Sequence, residues 1–413
     1  MHNKQWKGKR NMSQNVLVVH GGGPTAVINA SLYGVIEEAK RNPEVGKVYG
    51  AIGGTGAIFS ETFIDLTSFD DEKLKLLLHT PASAIGSSRY PLYEKDYEKM
   101  VDIFKKHDIK YVLLNGGNGT MDACGHIYEV CKDQDIKVVG IPKTIDNDIA
   151  MTDHSPGYGS AARFIAASTQ EVGEDVKSLP IHVCIMEAMG RNAGWLTGST
   201  ALSQGEDCEG PDLIYLPELP FDLQLFGEKI RQLLQEKTSI VVAVSEGIRT
   251  ADGTYVCELG NSIDFVDAFG HKQLQGTAAY LAGFLGAEIG CKTRSVEFST
   301  LQRSASHMAS RVDIEEAFMV GGAAVKAADE GYNGNMVVID RVSDDPYMSS
   351  AGIYDVHRIA NEEKLVPREW VNKEGNYVTK DFIDYVKPLI QGDYQPIMVN
   401  GLPRHLVLDM KKK

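Results

Sequence analysis

Apolar runs of strand length that stop at glycine clusters constrain this chain more than any other feature. Residues 15–19 form such a run and lead into Gly21, Gly22 and Gly23; residues 110–114 form another and lead into Gly116 and Gly117. Helical patterns follow each of them, over 26–41 and 120–132. A third run, 137–141, leads into Pro142 and Lys143. Buried strands alternating with helices predict a parallel sheet covered on both faces.

The pattern repeats downstream. Helices are expected over 160–176, 223–237, 271–289 and 313–330, and strands over 182–186, 213–216, 239–244, 292–298 and 335–341. A length of 413 residues suits two or three domains. The expected fold class is α/β, with two doubly wound domains, mainly parallel sheets and an active-site cleft between them. The expected division is 15–150, completed by a later segment, then 151–300, then 301–413 returning across both. The first boundary is expected in the Gly- and Pro-containing stretch 149–159. In open parallel sheets ligands sit beyond the carboxyl ends of the strands, where the glycines fall.

Charge narrows the partners. The chain carries 42 basic and 56 acidic residues, a net of −14. Such a chain repels nucleic acid and anionic membranes in the absence of a local basic patch. No apolar stretch is long enough to span a bilayer, and the basic start has no apolar core of a secretory signal. The six cysteines form no C-x-x-C pair, which argues against a zinc site and fits reduced thiols in the cytoplasm.

The glycine loops carry the chemistry. Glycine lets the backbone approach an anion closely, and a helix N-terminus adds unpaired N–H groups and a positive dipole end. One such loop is most simply a tight turn. Two of them beside the acidic cluster Asp146-Asn147-Asp148 favour phosphate binding. One carboxylate can accept a proton from an attacking hydroxyl, and the other can hold Mg²⁺ near phosphate oxygens. Arg89, Arg191, Arg294, Arg303 and Arg311 fall at expected loop positions, where guanidinium groups bind phosphate. Familiar fingerprints do not fit. The P-loop and the G-x-S-x-G elbow are absent, and the formal G-x-G-x-x-A at Gly157 follows no buried strand.

Several motifs together resemble the phosphofructokinase family. They are the segment Gly21 to Asn29, Gly86-Ser87-Ser88-Arg89, Gly116 to Thr120, Pro142 to Asp148, Met189-Gly190-Arg191, Ser245-Glu246-Gly247 and Leu301-Gln302-Arg303, in family order. The opening segment is most similar to the short bacterial pyrophosphate-using branch. The resemblance implies phosphoryl transfer to the 1-hydroxyl of fructose 6-phosphate, with Mg²⁺ as cofactor. It implies Asp146 as general base, Asp148 and Asn118 on the metal, and Arg89, Thr144 and Lys143 at the transferring phosphoryl group. Gly22, Gly23, Gly117, Asn118, Gly119 and Thr120 would meet the donor, in a donor-phosphate domain. Met189, Gly190, Arg191, Glu246, Arg294 and Arg303 would hold the sugar phosphate. A homodimer or homotetramer with shared sites is implied. His182 and Thr300 stand where some members carry an arginine and a histidine, so a longer sugar phosphate such as sedoheptulose 7-phosphate stays open.

The donor is ATP or pyrophosphate. Pyrophosphate-using members usually carry Asp at the position of Gly119 and Lys at the position of Lys143. Gly119 removes a charge and a volume that would meet the α-phosphate of ATP, and on that ground ATP is expected slightly ahead. Asn118 replaces the more usual Asp, and an amide is a weaker ligand for a hard cation. NAD and lipid kinases share a loop like Gly116 to Thr120, but not the two later motifs. A non-catalytic sugar-phosphate sensor is the remaining alternative.

Overall fold

The computed structural model describes residues 14–88, 90–260, 274–359 and 362–408. Eleven strands build two sheets. They are β1 (Gln14–His20), β2 (Val45–Ala51), β3 (Phe63–Asp65), β4 (Ile109–Gly116), β5 (Lys137–Pro142), β6 (Val183–Ala188), β7 (Leu213–Tyr215), β8 (Ile240–Ser245), β9 (Thr293–Glu297), β10 (Asn335–Asp344) and β11 (Tyr347–Asp355). The first sheet has the order β11-β10-β5-β4-β1-β2-β3, and the second β7-β8-β6-β9. The second sheet is parallel throughout; in the first, only β10 with β11 and β2 with β3 run antiparallel.

Both faces of each sheet are covered, as its apolar strands require. Val16 and Val18 point into one core with Leu32, Val35 and Val320; Leu17 and Val19 point into the opposite one with Met100 and Phe104. In the second sheet Cys184 and Met186 pack with Trp195 and Phe382, and Val183 and Ile185 with Phe226 and Leu281. On the first sheet the helices Ile28–Arg41 and Arg311–Asp329 touch backbone to backbone. A Cβ at Gly34 would overlap the Phe318 carbonyl, and one at Gly321 the Ser31 carbonyl.

The chain order creates a switch point in each sheet. From β1 the chain moves outward to β2, then returns to lay β4 on the other side of β1. The carboxyl ends of β1 and β4 therefore open side by side, with His20 paired to Asn115. In the second sheet Ala188 at the end of β6 pairs with Ser245 at the end of β8. Crevices at such points are where open α/β sheets bind ligands.

Some elements escape the apolar-run signal. β3 and β11 are edge strands with no fully buried face, and the helix Glu94–Lys106 is mostly charged. The helix expected over 120–132 starts earlier, at Asn118, which puts Asn118 and Gly119 in its first turn. Of the helix expected over 271–289, the part Thr277–Glu288 is seen, and 271–273 lie outside the described residues.

A buried polar network locks the chain where it crosses between sheets. His154 bonds Asp153 through Nδ1 at 2.8 Å and Glu316 through Nε2 at 2.6 Å. Tyr347 and Ser349 donate to the other Glu316 oxygen, and Arg341 donates to Asp153. Burial alone would lower the imidazole pKa, but the two carboxylates outweigh it and hold it up at about 9, so His154 is a cation at neutral pH. A folded pKa above the unfolded 6.5 contributes stability that is complete below 6.5 and disappears as pH rises through 9. We expect wild-type stability to fall by about 1–3 kcal/mol across that window, and His154→Gln to show less of this slope. Denaturant midpoints at pH 6.5 and pH 9 check this, and equal slopes in the two proteins refute it.

Candidate active site

The two switch points face a common cluster of charged side chains. From the first sheet, the loop after β1 carries Gly22 at φ +72°, a conformation that glycine adopts without strain. Lys143, at the end of β5, is almost fully buried and donates to the Gly23 carbonyl at 2.6 Å. A Cβ at Gly22 would stand 3.5 Å from the same Lys143 Nζ, and one at Gly23 would stand 3.2 Å from Arg303 Nη1. The Gly22–Gly23 backbone thus lies between a lysine and an arginine.

The loop after β4 borders the same space. Gly117 lies behind the Lys143 carbonyl, and the Thr120 side chain fills the gap between Gly21 and Gly116. Thr120 is therefore held by backbone packing. Gly119 is different: a Cβ there would meet nothing within 4 Å. It faces open space in the first helical turn, where N–H groups are unpaired.

Asp146 and Asp148 sit at the centre, partly buried. Burial raises the Asp146 pKa, although Lys143, Arg303 and Arg191 oppose the rise with positive charge. Thr144 Oγ1 accepts the Asp146 backbone N–H at 3.1 Å and shapes the turn. Burial and the Asp146 charge also raise Asp148. Asn118 Nδ2 donates to Asp148 Oδ2 at 3.1 Å, and Asn118 Oδ1 is buried with no hydrogen-bond partner. A hard, unpartnered oxygen beside a carboxylate fits a Mg²⁺ ligand pair. Among the described residues no group of three or more His, Cys, Asp or Glu side chains could hold a metal alone. The remaining ligands would be phosphate oxygens and water, as Mg²⁺ prefers.

The second sheet supplies the other wall. Gly190 N–H donates to Glu246 Oε1 at 3.3 Å, and Ser245 Oγ donates to the Gly190 carbonyl at 2.5 Å. Met189 N–H donates to Gln302 Oε1 at 3.0 Å. Burial, then the Asp146 charge, pushes the Glu246 carboxyl up to about 8, with Arg191 opposing. Asp146 therefore lies within electrostatic reach of Glu246, Arg191 and Arg303.

The structure brings together most of the residues singled out by sequence. Arg89 lies outside the described residues. Arg294 is not part of the cluster: it is an exposed residue of β9 lining a separate groove beside Asp175, Cys184 and Val296. It was expected on the sugar phosphate in a site shared between subunits, and within one chain it lies away from Asp146. Sequence reasoning missed Gln302 and Ser245 as loop supports, although both lie inside the quoted motifs. It also missed His20, buried beneath the first glycine loop and bonded through Nδ1 to Ser83 Oγ at 2.7 Å. Burial, then the Lys143 charge, pushes His20 down to about 3, so a neutral imidazole supports the loop.

Comparison with known proteins follows the same lines. The family model described as phosphofructokinase matches residues 15–328. A pyrophosphate–fructose 6-phosphate 1-phosphotransferase of Halomonas elongata is 38% identical over 401 residues, covering 94% of this chain and 95% of that one. The protein of the same name in Xanthomonas campestris is 40% identical over 407 residues, covering 95% and 96%. The crystal structure of a pyrophosphate-dependent phosphofructokinase from Marinobacter aquaeolei superimposes with a TM-score of 0.87 at 35% identity, covering 97% of this chain and 98% of that one. With its two α/β sheets and its motifs in order, the chain belongs to the phosphofructokinase family of phosphotransferases.

Proposed function

We propose that the chain transfers a phosphoryl group from inorganic pyrophosphate to the 1-hydroxyl of fructose 6-phosphate. The observation that carries the donor assignment is the buried Lys143 ammonium against Gly23, where a compact, highly charged donor would lie. The names of relatives at 38–40% identity support it. They reverse the preference for ATP drawn from Gly119. Open space at Gly119 removes an obstacle to ATP but supplies no contact to a nucleoside. ATP is the second reading, favoured by that space alone.

The chemistry assigned to each residue follows from the site. Asp146 takes the proton of the 1-hydroxyl, and burial raises its pKa and so its strength as a base, against the opposing charges of Lys143, Arg303 and Arg191. The hydroxyl oxygen bonds to the terminal phosphorus, the bridging P–O bond breaks, and orthophosphate leaves. Lys143 and the Gly22–Gly23 backbone stabilise negative charge on the transferring group, a task given to Thr144 and Arg89 as well; Arg303, expected on the sugar phosphate, stands beside Gly23 and is assigned to both phosphates. Arg191, Gly190, Met189 and Glu246 hold the sugar phosphate. Asp148 and Asn118 Oδ1 would hold Mg²⁺, which when bound would neutralise charge on phosphate oxygens. Arg294 reaches a site only if a second copy of the chain brings it there, so we assign it to a neighbour's pocket in a homo-oligomer.

Assays of the purified protein with Mg²⁺, fructose 6-phosphate and either donor test this reading. We expect turnover with pyrophosphate. Turnover with ATP alone reverses the donor assignment, and turnover with neither defeats the activity. Asp146→Asn should lower kcat by roughly 10²–10⁴-fold while sugar-phosphate binding persists; a change of a few-fold removes Asp146 as base. Arg191→Ala should weaken fructose 6-phosphate binding by about 1.5–3 kcal/mol, read by titration, with donor affinity much less affected. Gly119→Asp should fold, because its side chain enters open space. It should leave the pyrophosphate reaction within a few-fold and suppress any ATP reaction, since one like-charge pair at ~4 Å and dielectric ~20 costs about 4 kcal/mol. An undiminished ATP reaction in that variant places residue 119 away from the donor.

A further inference from the structure

The segment that crosses the site from the C-terminal side lies beyond the part of the chain that matches the family model, which ends at residue 328. Within it, Glu363 and Lys364 touch both walls of the cluster. On the side of the acidic loop, Lys364 Nζ donates to the Asp153 carbonyl at 2.6 Å, to Asn147 Oδ1 at 3.2 Å and to the Thr152 carbonyl at 3.3 Å. Its backbone N–H donates to the Asp148 carbonyl at 2.9 Å, and Glu363 forms an antiparallel bridge with Ile149. These contacts bracket Asn147, which sits between the two aspartates at φ +54°.

On the side of the Arg191 loop, the Glu363 carboxylate accepts from Asn192 Nδ2 at 2.9 and 3.2 Å. The Lys364 carbonyl accepts from Trp195 Nε1 at 2.8 Å, and the ammonium lies 5.3 Å from the Trp195 ring centroid. Two residues farther on, Val366 N–H and Gly194 N–H donate to the same Glu218 oxygen, at 3.0 and 2.8 Å. The segment thus works as a strap, with one end of its bonding on the base loop and the other on the sugar-phosphate loop.

We propose that Glu363 and Lys364 are positioning residues that set the spacing between the Asp146 loop and the Arg191 loop. The proposal rests on the phosphotransferase reading above. Neither residue needs to touch a substrate. Lys364 uses its three N–H donors on acceptors of one loop, and its backbone carbonyl carries that loop's position to Trp195. The Arg191 loop keeps its own anchors at Ser245, Glu246 and Gln302. Loss of the strap should therefore leave sugar-phosphate binding in place and displace the base, which is costly because a misplacement of about 1 Å can slow a reaction ~10²-fold.

The test uses the full chain, with Lys364→Met and Glu363→Ala compared to wild type. Glu363 is exposed, so its removal leaves the fold standing even where the half-buried Lys364 variant does not. For each folded variant, kcat with the working donor is measured beside the titrated affinity for fructose 6-phosphate and the thermal midpoint. We expect kcat to fall roughly 10–100-fold in Lys364→Met and about 3–10-fold in Glu363→Ala, with affinity within about threefold in both. A lowered thermal midpoint with wild-type kcat marks the strap as structural only and overturns the proposal. Wild-type kcat in Glu363→Ala overturns it too, as does a parallel loss of affinity and kcat. A wild-type protein inactive with both donors fails the underlying reading and the strap together; an active wild type with unaffected variants fails the strap alone.

Discussion

Burying carboxylates against cations is the constraint on which the rest of this structure depends. Asp146, Asp148 and Glu246 are each partly buried, and burial raises the pKa of each. Charges so placed need partners of opposite sign. Lys143, Arg191 and Arg303 supply them, from three separate stretches of chain. In a protein of net charge −14, these three cations match the three carboxylates one for one.

The same physics recurs at the junction between the sheets without any substrate. His154, Asp153, Glu316 and Arg341 form a set of ion pairs, buttressed by Tyr347 and Ser349. It lies along the segment that continues from Asp148. The loop bearing Asp146 and Asp148 is therefore supported at its far end by a network that Arg341 extends to Asp344 and the Tyr385 carbonyl. Such networks define a single arrangement more sharply than apolar packing does.

Strands β1, β4 and β5 were legible because they are apolar on both faces and lead into glycine or proline, and the first site motifs were legible because they follow those strands; β2, interior to the sheet but interrupted by Gly46 and Lys47, was not. Edge strands such as β11 were not, since their exposed residues break the apolar run. Asn118 could be recognised as unusual, yet its bond to Asp148 and its free Oδ1 are matters of geometry. Arg294 lies on an outer strand, and its motif alone could not say how far it stands from the loops of its own chain. Lys364 carried no signal at all: it meets Asn147 across 217 residues, with no motif around it. Long-range contacts made through backbone carbonyls leave little trace in residue type, because any residue supplies a carbonyl.

The crossing of the helices Ile28–Arg41 and Arg311–Asp329 has a mechanical meaning. At Gly34 and Gly321 no side chain cushions the contact, so neither helix can slide without driving backbone into backbone. One helix follows the loop bearing Gly22 and Gly23; the other follows the segment bearing Arg303. The crossing is thus a rigid joint between the Gly22–Gly23 loop and the segment of Arg303, made by residues far apart in the chain. Whatever opening admits substrate has to bend elsewhere, because these two pieces of the floor travel as one body.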